Sequence, residues 1–344
     1  MNLDKSLKSI LFLSFVTLMC LSCQSIKKPK LDANRPDIVM FPDSAEASRL
    51  ILSEDVEGFF SDVTPLERQI QLKALDREVS LSEFKDFLSR EVSNWTIEEN
   101  IQIYKMVQEV KKLCDTISPR LFPAPLRLIK IKTNHYGNDV YYTKGHNIFM
   151  PENIFKKFST EVHFPILVHE VFHIISRYNP ELRHDLYRLI GFELTEKPVE
   201  LNSFLATRKL TNPDAVSYQY AINLNHEGQV YKAMPLINSR FDSYRASHKS
   251  FFDYLTFDMY ELLEMQDKYL AITNEIGKTT IPPAAMESFF SQIKDNTQYI
   301  IHPEEIMADN FMLALMAYSK GDYSKFSPEG KELINKILDR LKKI

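Results

Sequence analysis

The sequence predicts an α+β fold, mainly helical, and three observations carry that reading. Apolar residues recur at three- and four-residue intervals, as in Ile103, Val107, Val110 and Cys114, which is the period of an amphipathic helix. Two Pro- and Gly-bounded runs rich in β-branched and aromatic residues, Leu121–Thr133 and Asp139–Pro151, break that period and read as strands of a small sheet. A nearly unbroken apolar segment from Phe164 to Tyr178 then marks a buried helix. With 344 residues, 44% hydrophobic and 26% charged, the chain has material for one large domain or two modest ones. Its formal net charge of -4 lacks the basic excess of a nucleic-acid-binding surface, so no nucleic-acid partner is expected.

At the N-terminus, Lys5 and Lys8 precede the apolar run Ile10–Met19, the order of a secretory signal. The run is too short to span a bilayer comfortably. Ser22 ahead of Cys23 resembles a bacterial lipoprotein signal, which implies removal of residues 1–22, lipidation of Cys23 and anchoring to a cell-envelope membrane through that lipid. A plain secretory signal cut nearby is the alternative, and export follows from both. Of Cys20, Cys23 and Cys114, only Cys114 would remain as a thiol in the mature chain, so no intrachain disulfide is expected. Residues 23–43 are largely polar and read as a tether.

Residues 44–118 read as a helical N-terminal region, in which Thr96 and Glu99 form a capping box. Residues 119–344 form the second division, opening with the small sheet. Its buried helix has Pro165 near the first turn and is closed by Asn179-Pro180. A second helix (Glu181–Leu189), a break at Gly191 and a loop holding Thr211–Asp214 come next. An insertion at about 190–290 carries a β-hairpin, Val216–Ile237, turning at Asn225–Gly228. Helices are expected again from about Ser250, including Pro303–Tyr318 and a last one capped at Ser327.

The chemistry is concentrated in the buried helix, where Val168–Ile175 reads VHEVFHII. Residues four apart share a helix face, so His169 and His173 can direct ring nitrogens at one metal ion. Glu170 sits beside them as a candidate general base, the HExxH arrangement associated with zinc. Buried imidazole and carboxylate groups are costly unless a metal or a partner satisfies them. A catalytic zinc takes three protein ligands and keeps one position open, so a third ligand is required.

Three places compete for that ligand. A compact metzincin pattern would need histidine six residues after His173, where the chain has Asn179. Glu193 falls at a thermolysin-type spacing, but Lys197 and Pro198 follow where a supporting acid would stand. The segment HPEEIMADNFMLALMAY places Glu305 and Asp309 one turn apart at the start of an otherwise apolar helix. There Glu305 would ligate zinc and Asp309 would hold the far ring nitrogen of a ligand histidine. Glu304 is the neighbouring alternative, with Ala308 one turn on.

HEVFH followed far downstream by EIMAD resembles the gluzincin group of zinc metallopeptidases. The resemblance implies a zincin-like catalytic domain and one Zn2+ per chain held by His169, His173 and Glu305, with Asp309 supporting a ligand. It further implies a peptide or protein substrate paired along an edge strand within Tyr141–Pro151, and Glu170 as the base that removes a proton from water and returns it to the leaving amine. His226, Tyr218, Tyr220, Tyr231 and His302 are candidates for stabilising the oxyanion. A non-catalytic zinc-binding lipoprotein, or a binding module on a peptidase-like scaffold, is the competing class. Glu170 argues against it, because a purely structural zinc site has no use for a base.

Overall fold

The computed structural model describes residues 38–156 and 159–344; the expected signal, Cys23 and most of the expected tether lie outside the described residues. The fold is α+β, 43% helix and 19% strand, so helix predominates as the periodicity predicts. Strands β1 (Val39–Met40), β2 (Val92–Ser93), β3 (Leu126–Ile131), β4 (Tyr142–Lys144) and β5 (Asn147–Pro151) form the first sheet. β3 runs parallel to β1 and β5 and antiparallel to β2, while β4 lies antiparallel to β5 at the sheet's edge. Val39 pairs with Leu126, and both Ile38 and Val39 are buried, so packed structure reaches into the stretch read as a tether.

Both faces of this sheet are covered. Leu128, Ile148 and Met150 pack with α5 (Ile97–Asp115) and α6 (Thr160–Arg177). Ile129, Ile131 and Phe149 point the other way, into the core of α1 (Ser44–Leu52), α2 (Phe59–Asp62), α3 (Pro65–Leu72) and α4 (Leu81–Ser89). This is the two-residue alternation of a strand with apolar partners on both sides. The capping box of α5 is present in both directions, Glu99 N–H to Thr96 Oγ1 at 3.2 Å and Thr96 N–H to Glu99 Oε2 at 2.8 Å. α6 begins a turn before the expected start, which places Pro165 inside the helix. Proline there forgoes one backbone hydrogen bond, and the buried side chains of Leu167, Val168, Val171 and Phe172 hold the helix in place beyond it.

Beyond α7 (Pro180–Arg188) the chain builds a second sheet from β6 (Phe192–Leu194), β7 (Val199–Leu201), β8 (Tyr220–His226), β9 (Gln229–Ser239), β10 (Leu255–Glu264) and β11 (Tyr269–Ala271), in the order β6-β8-β9-β10-β11-β7. The β8–β9 hairpin turns at Glu227-Gly228, with φ of 48° and 80°, as a two-residue hairpin turn requires. The helices expected from Ser250 are here a correction: residues 255–264 and 269–271 are strands. β10 lies between β9 and β11; Leu255, Phe257 and Met259 alternate with Thr256 and Asp258, but from Met259 on, buried Met259, Tyr260 and Leu262 put apolar residues on both faces and interrupt the period. This sheet, with α8 (Ser203–Arg208), fills most of the sequence between the two motif-bearing helices.

After α9 (Met286–Ile293), α10 (Pro303–Lys320) returns against α6, and α11 (Pro328–Leu341) packs on α10. The Phe172 and Phe311 rings meet at 5.2 Å across the α6–α10 interface, and truncating either to alanine would cost about 3–5 kcal/mol. α10 is capped by His302, whose Nδ1 accepts the Glu304 N–H at 3.0 Å, and ended by Gly321 at φ 64°. Among the described residues no helix is long and apolar enough to cross a membrane.

Candidate metal centre

Two buried helices aim the candidate residues at one point. On α6 the i, i+4 spacing puts His169 and His173 on one face, with ring centroids 4.8 Å apart. α10 presents its first turn to that face. Glu305 Oε2 lies 3.1 Å from His169 Nε2 and 3.7 Å from His173 Nε2. Asp309, one turn on, accepts from His169 Nδ1 at 2.8 Å and receives the Thr297 hydroxyl on its other oxygen. Near the N-terminus of α10, the helix dipole adds to what favours these carboxylates.

Glu304 is not a rival ligand in this arrangement; it serves the other histidine. It is 1% exposed and accepts from His173 Nδ1 at 3.0 Å, from Ser176 Oγ at 2.5 Å and from the Tyr187 hydroxyl, with Arg183 Nε 3.8 Å away. Burial alone would raise its pKa, but the His173 bond and the Arg183 charge outweigh it and hold Glu304 down at about 2. Each histidine thus has its outer nitrogen fixed by a carboxylate and its inner one turned toward Glu305. Glu193 sits elsewhere, exposed on β6 and paired with Arg188 at 2.9 Å.

Spacing within the sequence gave no sign of two further residues. Asp214, in the loop between α8 and β8, is buried and lies 4.0 Å from His173 Nε2, its Oδ1 accepting the Thr143 N–H at 2.5 Å. Thr143, on edge strand β4, also donates its hydroxyl to Glu170 Oε2 at 2.7 Å. Asn212 donates to Glu305 Oε1 at 2.6 Å and accepts the Asp214 N–H, so the loop is tied to α10 and to itself. The Thr-Asn-Pro-Asp composition announces a turn, yet no sequence period relates it to α6 or α10.

Electrostatics describe a site short of positive charge. Burial and then the neighbouring Asp214 push Glu170 up to about 7, against the pull of the two histidines and Thr143. Asp214 is driven well above the usual aspartate range by burial and by Glu305. Although burial opposes it, the hydrogen bonds to Asp309 and Glu305 raise His169 well above 6.5.

A divalent ion fits these residues. His173 Nε2 is fully buried and has no hydrogen-bond partner among the described residues, an arrangement that is expensive without a ligand. Donor atoms of His169, Glu170 and His173 lie within 4.8 Å of one another, as do those of His173, Asp214 and Glu305. Donor atoms around a tetrahedral zinc stand about 3.3–3.6 Å apart, given bonds of about 2.0–2.2 Å. The 3.1 and 3.7 Å separations lie close to that range, and the 4.0 Å separation of Asp214 from His173 a little beyond it.

A cleft of about 340 Å³ opens onto the cluster, walled by Val140, Tyr141, Ile166, Phe252, Tyr299 and Met312. The Tyr299 ring lies 6.0 Å from that of His169, nearly parallel to it. Of the residues expected to stabilise an oxyanion, Tyr218 is bound to Asp62 and Lys209, His302 caps α10, and neither lines the cleft. Tyr299 does, and it lies on a stretch without regular structure where no periodicity marks it.

No protein-family model, no curated protein and no solved structure matches this chain.

Proposed function

We propose that the chain is a zinc-dependent metallopeptidase of zincin-like, gluzincin type, exported and lipid-anchored through Cys23, acting on peptide or protein. The observation that supports this most is the convergence of His169, His173 and Glu305 around an unpartnered buried imidazole nitrogen, with Glu170 beside them. His169, His173 and Glu305 would hold the ion; Asp309 and Glu304 fix the two ring orientations. Zinc bound there would supply Lewis acidity toward a carbonyl and an activated water.

The remaining work falls to side chains. Glu170, buried beside the ligand histidines, can take a proton from water and release it to a leaving amine, and the Thr143 hydroxyl orients its carboxylate. The Thr143 amide and carbonyl point away from β5, toward Asp214 and Arg177. By strand alternation the Tyr141 backbone faces the same way, at the cleft wall, where an extended peptide can add to the sheet edge. Tyr299 stands ready to donate to a developing oxyanion. The apolar walls suit a substrate with a hydrophobic side chain next to the cleaved bond.

Glu170→Gln should retain zinc at wild-type stoichiometry and lose about 10²–10⁴-fold in peptide hydrolysis. Equal hydrolysis by both proteins would remove Glu170 as the base. One observation favours the second reading, a non-catalytic zinc-binding lipoprotein: Asp214 stands where a fourth protein ligand would close the site.

A further inference from the structure

We infer that Asp214 is itself a metal ligand, completing a two-histidine, two-carboxylate site with His169, His173 and Glu305. This rests on the metal-site reading above and not on its catalytic part: with four protein ligands, water has only a fifth position on the ion. Asp214 is 7% exposed, and its carboxylate has no lysine or arginine partner among the ion pairs of the described residues. Arg177, the nearest arginine in sequence space to the site, spends its guanidinium on the carbonyls of Gly145, Thr143, Pro213 and Asp214. The carboxylate instead faces His173 Nε2 at 4.0 Å, a buried nitrogen that has no hydrogen-bond partner among the described residues and that Glu305 Oε2 approaches to 3.7 Å. A shared cation satisfies both groups, and two anionic ligands neutralise a divalent ion in a site where charge is costly.

The chain has built this loop into position. Thr211 N–H donates to Glu67 Oε2 at 2.8 Å and its hydroxyl to Asp62 at 3.0 Å, while Lys209 pairs with Asp62. Asn212 reaches Glu305, and Arg177 holds the carbonyls of Pro213 and Asp214. Helices α2 and α3 of the N-terminal layer thereby fix the one donor that comes from a loop; the other three come from helices. The role of that layer in the site is to place Asp214.

The variant Asp214→Asn separates ligation from support, because an asparagine oxygen still accepts the Thr143 N–H while the anionic donor is lost. Full-length protein would be stripped of metal, titrated with Zn2+ against a competing chromophoric chelator, and titrated separately with Co2+ while its visible ligand-field bands are recorded. Asp214→Asn is expected to weaken zinc binding by about tenfold or more and to alter the cobalt bands, with Glu193→Gln matching wild type in both. Wild-type affinity and an unchanged cobalt spectrum in Asp214→Asn would overturn the proposal, including the case in which only Asp214→Ala is impaired. Failure of the wild-type protein to bind either metal would overturn the metal-site reading beneath it.

Discussion

Replacing Glu304 by glutamine tests whether the acid behind His173 tunes the site or merely fills space. The carboxylate is buried and holds His173 Nδ1, Ser176 Oγ and the Tyr187 hydroxyl, with Arg183 close by. Glutamine keeps an oxygen for His173 and Ser176, but turns an amide nitrogen toward donors and removes the charge that makes the His173 ring a better ligand. Losing such a support weakens metal binding by about 10–100-fold, which is about 1.4–2.7 kcal/mol. Glu304→Ala goes further, leaving buried donors without a partner at about 1–3 kcal/mol each, so it should also lower the unfolding free energy of the metal-free protein. Zinc affinity by chelator competition and denaturant unfolding under chelator separate the two effects. Wild-type zinc affinity in Glu304→Gln, with only Glu304→Ala destabilised, would refute the idea that Glu304 acts on the metal through His173.

Glu305→Gln should abolish or sharply weaken zinc binding, while Glu193→Gln leaves metal stoichiometry by atomic absorption unchanged, since Glu193 is surface-exposed and paired with Arg188. Away from the cluster, burial raises Glu67 from 4.5 to about 7, against hydrogen bonds from Thr211. The folded chain therefore keeps a proton that the unfolded chain releases above pH 4.5. Its stabilising contribution is complete below that pH and is lost as pH rises through about 7, by about 3 kcal/mol at most. Urea unfolding of Glu67→Gln from pH 5 to 8 should show a flatter pH dependence than wild type; parallel curves would refute the assignment.

What the sequence determines by itself is whatever lies within one element. The i, i+4 spacing of His169 and His173, the one-turn spacing of Glu305 and Asp309, and the capping box at Thr96 are periodic facts of a single helix, and the geometry of those helices follows from them. The alternation in β3 and the turn at Glu227-Gly228 were legible for the same reason. β10 was not, although Leu255, Phe257 and Met259 alternate with Thr256 and Asp258, because the alternation breaks at Tyr260 and Leu262-Leu263, where apolar residues fall on both faces.

Tertiary structure alone decided which partner each group meets. Glu304 and Glu305 are adjacent in sequence but point about 100° apart around α10, and only the packing of α10 on α6 assigns one to the outer nitrogen of His173 and the other to the inner nitrogens. Asp214 and Thr143 reach the site from a loop and a sheet edge that share no period with either helix. Such contacts arise from the burial of whole faces of helix and sheet, a property of the folded chain in which residues distant in sequence become neighbours because their elements exclude water together.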